Sequence, residues 1–374
     1  MPHTAFSGSD HAFRGVLRSS DWSLCVGAGL NKGLLPDWRE LTVRILNTCG
    51  GWKLNPSDFE KLNKYAWGYD AWLQTALNVM LKDGKQLEDY YTMLENEIYD
   101  DLLKKAENCN LKTELIKALS EPTHIKKNDA VALLRFLEPL CQKTSLFAVA
   151  KWMQRLADLD QAPRSVLTLN ADGLLDTLLK MLDLQSHFTN PAEKPPDRFF
   201  RALRSSDRIG RRIPIYYLHG CLVPQLHGQR ARRESRNNLI FPESTYGQLS
   251  SKVFTWQQTI FLGQAQAQRV LFIGLSMSDP NIRRWLSWCN ASALEDHRVL
   301  KAHFSKPSKP SRKNAERDYF LGRHIWIAEK PTDKVFADAM EYSLAHLGTR
   351  ICWVRKWDEL PDVLENLLPT IGSP

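Results

Sequence analysis

The sequence predicts an α/β protein with a Rossmann-like parallel sheet and a large helical insert. Three observations carry this reading. Short apolar runs that read as buried strands are each followed by a helical pattern, the alternation that builds parallel sheets. The first run, Trp22 to Val26, passes at once into glycines and then into a helix from Trp38, the opening of a doubly wound domain. From about Asn55 to Gln161 strand-like alternation is scarce and helical periodicity takes over.

Along the chain, Trp38 to Asn47 is expected as a helix, with Leu41, Ile45 and Leu46 on one face. Ser57-Asp58-Phe59-Glu60 reads as a capping box. Leu111, Leu115, Ile116 and Leu119 mark an apolar helical face, and Val131, Leu134 and Leu137 another, halted near Pro139. The α/β pattern returns with a strand at Ser165–Leu169 and a helix at Leu174–Leu182. A strand follows at Ile213–Leu218, then a helix at Val253–Gln266, a strand at Arg269–Ile273 and a helix at Pro280–Trp288. Further strands are expected at Val299–Phe304, Ile325–Ala328 and Arg350–Val354, and a closing helix at Trp357–Leu368. This divides the chain into 1–55 and 162–374, two parts of one Rossmann-like domain, with 56–161 as a helical module between them. That module is expected to cover the site or to carry self-association.

Composition sets the broad class. The 374 residues are 43% hydrophobic and 25% charged, an ordinary globular balance. No run of about 18 apolar residues predicts a membrane span, and Met1–Ser20 has no apolar core of a secretory signal. A cytoplasmic protein is expected. The seven cysteines are scattered singly with no C-x-x-C pair, so neither a structural zinc nor a disulfide framework is indicated. The net charge is +8. Part of the excess gathers at Arg230, Arg232, Arg233 and Arg236, and part at Lys306, Lys309, Arg312, Lys313 and Arg317. Solvated loops explain such stretches; contact with nucleic acid or an acidic partner is the sharper alternative. No aromatics interleave with them, so single-strand stacking is not supported.

Four strings carry chemistry. Gly27-Ala28-Gly29 follows a strand and precedes a helix, where small residues let backbone N–H groups approach a pyrophosphate. The full G-x-G-x-x-G fingerprint is absent, and no acidic residue ends a second strand to hold an adenosine ribose, which argues against an ordinary dehydrogenase. Asn170 and Asp172 lie just past a strand's carboxyl end, where ligands bind in open α/β sheets. They could hold ribose hydroxyls and a carboxamide, or simply cap the next helix. His219 also ends a strand, beside Gly220, and a histidine can take a proton near neutral pH. The Leu-His-Gly triplet recurs at His227, but His219 follows the more convincing buried strand. Gly274 permits close approach of an adenosine, and Ser276 can bond a ribose hydroxyl. Asp279-Pro280-Asn281 reads as a helix start.

Taken together in this order, the strings resemble the sirtuin fold, and more closely the sirtuin-like proteins of bacterial anti-phage defence. Val26-Gly27-Ala28-Gly29 with Leu35-Pro36-Asp37-Trp38-Arg39 is similar to the family's first NAD motif. Asn170-Ala171-Asp172-Gly173 is similar to its Asn-x-Asp-Gly, and Leu218-His219-Gly220 to its catalytic His-Gly. Phe272 to Ile282 resembles the string of the defence branch. The resemblance covers roughly Asp21–Trp52 and Ser165–Leu368. Asn31 stands where the family usually has serine, and the four-cysteine zinc module of deacetylating members is missing.

The resemblance implies a parallel sheet of the sirtuin type and an NAD+ glycohydrolase that needs no metal. NAD would be its substrate, cleaved to ADP-ribose and nicotinamide. It implies that Gly27, Ala28, Gly29, Asn31, Asp37, Arg39, Gly274 and Ser276 bind the dinucleotide. Asn170 would hold the ribose or a water, Asp172 the carboxamide, and His219 would assist the attack of water. A homo-oligomer is expected, restrained until triggered, with a separate partner such as a HerA-type ATPase. The alternative is a non-catalytic NAD- or ADP-ribose-binding scaffold; a protein deacylase or ADP-ribosyltransferase ranks behind both.

Overall fold

The computed structural model describes residues 21–64, 67–142, 144–186, 197–207, 209–226, 239–252, 254–303 and 322–367, with Leu17 and Arg236. Its strands are β1 (Trp22–Val26), β2 (Ser165–Thr168), β3 (Phe199–Ala202), β4 (Ile213–Tyr217), β5 (Arg269–Ile273), β6 (His324–Glu329) and β7 (Thr349–Val354). They form one all-parallel sheet in the order β3-β4-β2-β1-β5-β6-β7. Every residue of β1 and β2 is buried, which is why both read as continuous apolar runs rather than as alternation.

Thirteen helices accompany the strands among the described residues: α1 (Trp38–Gly50), α2 (Phe59–Asn63), α3 (Tyr69–Lys82), α4 (Leu87–Asn108), α5 (Lys112–Ser120), α6 (Lys127–Cys141), α7 (Ser145–Asp158), α8 (Leu174–Ser186), α9 (Glu243–Ser251), α10 (Trp256–Ala267), α11 (Pro280–His303), α12 (Lys334–Ala345) and α13 (Leu360–Leu367). The chain divides into two compact units. One comprises Met1–Gly27, Leu156–Leu167 and Phe254–Pro374, the other Ala28–Arg155 and Thr168–Val253. Helices α1 to α6 therefore share a unit with β3, β4 and the segments that follow β2 and β4.

In the first unit, β1 pairs with β5 from Trp22↔Arg269 to Val26↔Ile273, and β5, β6 and β7 continue the ladder. Phe261 of α10 packs on Trp285 of α11, ring centroids 5.4 Å apart. Beneath them a buried polar knot joins the strands. The Ser23 and Ser165 hydroxyls lie 2.9 Å apart, and Ser165 donates to Gln264 Oε1 at 3.0 Å. In the second unit, α1 buries Leu41, Val43, Ile45 and Leu46, and α4 buries Tyr90, Leu94, Tyr99 and Leu102.

Several expectations change. Val299 does not begin a strand: α11 runs unbroken from Pro280 to His303, since no glycine or proline after Pro280 stops it and a short apolar run does not distinguish strand from helix. Phe304 lies outside the described residues. The helix expected to halt near Pro139 does so: α6 includes Pro139 in its last turn and ends at Cys141. Ser57 forms no capping box; Asp58 Oδ2 instead accepts the Asn55 N–H at 2.9 Å. The helix expected from Val253 starts at Trp256, because Phe254 takes a left-handed φ of 63° and Thr255 caps Gln258 N. β3, α9 and α12 are not anticipated from the sequence.

Arg236 is no part of a solvated basic loop. Its guanidinium is buried and holds Glu95 through Nε at 3.0 Å and Nη2 at 2.6 Å, with Glu88 at 2.7 Å. All three nitrogens that could grip a phosphate are spent on carboxylates. Arg230, Arg232, Arg233 and the 306–317 cluster lie outside the described residues.

His324 gives a pH signature. Its Nδ1 accepts the Val270 N–H at 3.1 Å, which requires an unprotonated Nδ1. Burial, followed by the charges of Arg323 and Arg269, lowers its pKa to about 3. A depressed histidine stabilises the fold fully above its unfolded value and loses that contribution as pH falls, by up to about 1.4 kcal/mol per pH unit. His324→Gln keeps an acceptor without the titration. In urea unfolding, the wild-type advantage over this variant is expected to shrink by roughly 2–3 kcal/mol between pH 7 and pH 4.5; an equal gap at both pH values would refute the neutral assignment.

Candidate active site

The segments that follow β2 and β4 lie side by side. Leu218 N donates to Thr168 O at 2.9 Å and Leu222 N to Ala171 O at 2.6 Å, so the chain continues in parallel past the strand ends. This brings Asn170 and Asp172 to the carboxyl end of β2 and His219 to that of β4. Gly220 makes the turn after His219 with a φ of 78°, a conformation L side chains rarely adopt. Gly173 is small for another reason. A Cβ there would stand 2.7 Å from Nη2 of Arg201, which pairs with Asp176 below.

Asn31, Asn170 and Asp172 line a cleft with Leu35, Trp38 and Phe241. Trp38 and Phe241 sit 5.6 Å apart between ring centroids and form its aromatic wall. Asp172 Oδ2 accepts Asn31 Nδ2 at 2.7 Å, and its Oδ1 accepts the Leu174 N–H at 3.1 Å. The carboxylate can only accept, so the nitrogen of Asn31 must face it and Asn31 Oδ1 must point away. That oxygen is buried without a hydrogen-bond partner, as is Oδ1 of Asn170. A carboxylate and two unserved carbonyl oxygens thus stand at one apolar cleft, a set that calls for a ligand bearing N–H or O–H donors. The hydroxyls of a ribose and the amide of nicotinamide fit that demand. The cavity itself is about 40 Å³, room for a few waters.

Burial raises the Asp172 carboxyl to about 6, opposed by its bonds from Leu174 and Asn31. His219 does not line the cleft but borders it. Its carbonyl accepts Ile240 N at 3.1 Å, and Phe241 is the next residue. Its ring meets Tyr246 edge-on at 5.5 Å. His227 lies outside the described residues.

The remaining sequence-marked residues have other partners. Ala28 lines the cleft at the start of a 3-10 turn, Ala28–Asn31, that also contains Gly29. Asp37 caps α1 through Glu40 N at 2.9 Å. Arg39 turns to Pro56 O and Glu60. In the other unit, Gly27 N is spent on Ile273 O at 3.1 Å, and a Cβ on Gly27 would strike Leu275 at 2.6 Å and Gly274 O at 2.7 Å. Gly27 is therefore small for packing. Gly274 has a φ of 71°, and Ser276 is hydroxyl-bonded to Ser278. Sequence reasoning missed Phe241 and Tyr99, the latter a buried hydroxyl beside Asp172; neither carries a local motif.

A larger cavity, about 480 Å³, lies between α5, the start of α6 and Val223–Leu226. Its walls mix Lys117 and Lys126 with Glu114 and Asp129, which selects no one ligand chemistry. Among the described residues no group of three or more His, Cys, Asp or Glu could hold a metal ion, and no helix is long and apolar enough to cross a membrane.

Residues 164–344 match the family model of the SIR2-like domain. The match supports a sirtuin-like family. It spans Asn170, Asp172, His219, Gly274 and Ser276, and it starts well after the Gly27–Asn31 turn. SIR2-like domains are generally NAD-dependent enzymes, and the match suggests an NAD-related activity in general. Comparison with curated proteins finds no match.

An ionised Asp172 in so dry a place costs stability. A carboxyl raised from 3.8 to about 6 on folding stabilises the fold only below its unfolded value, and that contribution is lost as pH rises through 6. Asp172→Asn is therefore expected to be more stable than wild type at pH 7.5, by up to roughly 3 kcal/mol, and to lose this gain near pH 4. Denaturant titrations at the two pH values check it. A variant destabilised at pH 7.5 would mean that Asp172 is there for the fold.

Proposed function

We propose that this chain is an NAD+ hydrolase that cleaves the nicotinamide N-glycosidic bond and releases ADP-ribose and nicotinamide. The observation that carries the reading is the convergence of the Asp172 carboxylate with the partnerless oxygens of Asn31 and Asn170 on one cleft. Asn170 takes a ribose hydroxyl, and Asn31 and Asp172 take the amide of the leaving group. The bond from C1′ to the pyridinium nitrogen breaks with its electron pair passing to nicotinamide, which departs neutral. The oxocarbenium-like C1′ left behind is stabilised by the nearby carboxylate in a low-dielectric cleft. Water then adds to C1′, and His219 accepts its proton. The sum is NAD+ plus water to ADP-ribose, nicotinamide and a proton.

Hydrolysis is favoured over zinc-stabilised deacylation by the scatter of the cysteines, none of which forms a C-x-x-C pair. The likeness of Phe272–Ile282 to the defence branch favours NAD depletion during phage infection as the setting, in the cytoplasm. The small cavity favours restraint: a homo-oligomer or a partner such as a HerA-type ATPase would open it.

The test is nicotinamide release by the full chain, with and without candidate partners. Asn170→Ala and His219→Ala are each expected to lower it by about 100-fold or more, and the rate should fall below pH 6 as Asp172 takes a proton. NAD that binds but is never turned over would favour a scaffold instead.

A further inference from the structure

Helix α4 lies in the stretch that carries none of the recognised strings, yet it reaches the site. Ile98 lines the cleft. The next residue, Tyr99, is fully buried, and its hydroxyl accepts the Gly173 N–H at 2.8 Å and donates to Leu222 O at 2.9 Å. A parallel bridge pairs Asp172 with Leu222. On one side of that bridge Leu222 N bonds Ala171 O directly at 2.6 Å. On the other, the Tyr99 hydroxyl serves both the Gly173 N–H and the Leu222 carbonyl. Both peptide neighbours of Asp172 are thereby fixed to the segment that begins at His219.

We infer that Tyr99 is a positioning residue for glycosidic cleavage, a hydroxyl spacer that sets the separation of the Asn170–Asp172 and His219–Leu222 segments. The inference rests on the NAD-hydrolase reading for its activity arm. A direct Gly173 N–H to Leu222 carbonyl bond would satisfy both groups without any tyrosine, but it would draw the segments together on one side. The inserted oxygen keeps them apart at the residue that carries the carboxylate. The phenol is suited to this. Burial, with the charge of Asp172 nearby, holds its pKa well above the usual tyrosine value, so it remains a donor wherever the protein is folded. Below, Arg201 donates to Leu119 O at 2.9 Å and pairs with Asp176, and it sits against Gly173. Arg201 thus occupies the space that a side chain at 173 would need.

Tyr99→Phe keeps the ring and removes the spacer. Tyr90→Phe is the control, since Tyr90 lies on the same helix, is fully buried and donates to Leu73 O at 3.2 Å, away from both segments. Each variant loses one buried hydroxyl, so similar losses of Tm are expected. Only Tyr99→Phe should lower kcat for nicotinamide release, by about 10- to 100-fold with KM within about threefold, as expected for displaced catalytic groups. Amide hydrogen exchange at Gly173 and Leu222 should quicken at least about tenfold in Tyr99→Phe alone, consistent with local loosening. Wild-type kcat in Tyr99→Phe, or an equal kcat loss in Tyr90→Phe, overturns the positioning role. If the wild type releases no nicotinamide under any condition, the hydrolase reading fails on its own, and unchanged exchange in Tyr99→Phe then overturns the spacer separately.

Discussion

A carboxylate held out of water at the end of a parallel strand is the constraint around which the second unit is organised. Asp172 keeps its place because Asn31 and the Leu174 N–H satisfy it, while burial works against its charge. Asp172 also caps the start of α8 through Leu174 N, a task that asparagine performs as well without the charge. Groups kept ionisable against such a cost cluster at sites where chemistry is done. The partnerless oxygens of Asn31 and Asn170 have the same character: they are unfinished hydrogen-bonding groups at the cleft.

The helices between β1 and β2 are part of this arrangement. α1 brings Trp38 to the cleft, α4 brings Ile98 and the Tyr99 hydroxyl, and the buried Arg236 is held by Glu88 and Glu95 of α4. Burying that guanidinium is tolerable because two carboxylates and Thr92 meet its nitrogens. The neighbourhood of the candidate site is therefore assembled from segments far apart in the chain, and a family model that begins at residue 164 covers only some of them.

Much of the frame was legible. Short apolar runs marked β1, β2, β4 and β5 to within a residue or so, because strands buried on both faces leave that signature. The Asn-x-Asp-Gly and His-Gly strings could be placed at strand ends for the same reason. Local pattern failed where two structures share one signal. The apolar residues near Val299 fit a strand or the later turns of a long helix, and only the continuation of α11 decides it. The arginines before Leu239 read as one basic cluster, yet Arg236 is buried against a glutamate more than a hundred residues away.

The sequence by itself determined the alternating α/β frame, the positions of Asn170, Asp172 and His219 on it, and their likeness to a sirtuin-type site. These depend on periodicity and on short strings, which are local properties. Only the tertiary structure decided that Asn31 faces Asp172, that Gly27 is small to admit Leu275, that Asp37 and Arg39 serve α1 and α2, and that Tyr99 stands between the two strand-end segments. Each of these is a contact between residues distant in the chain or a choice among partners for a polar group, and burial settles such choices only once the chain has folded around them.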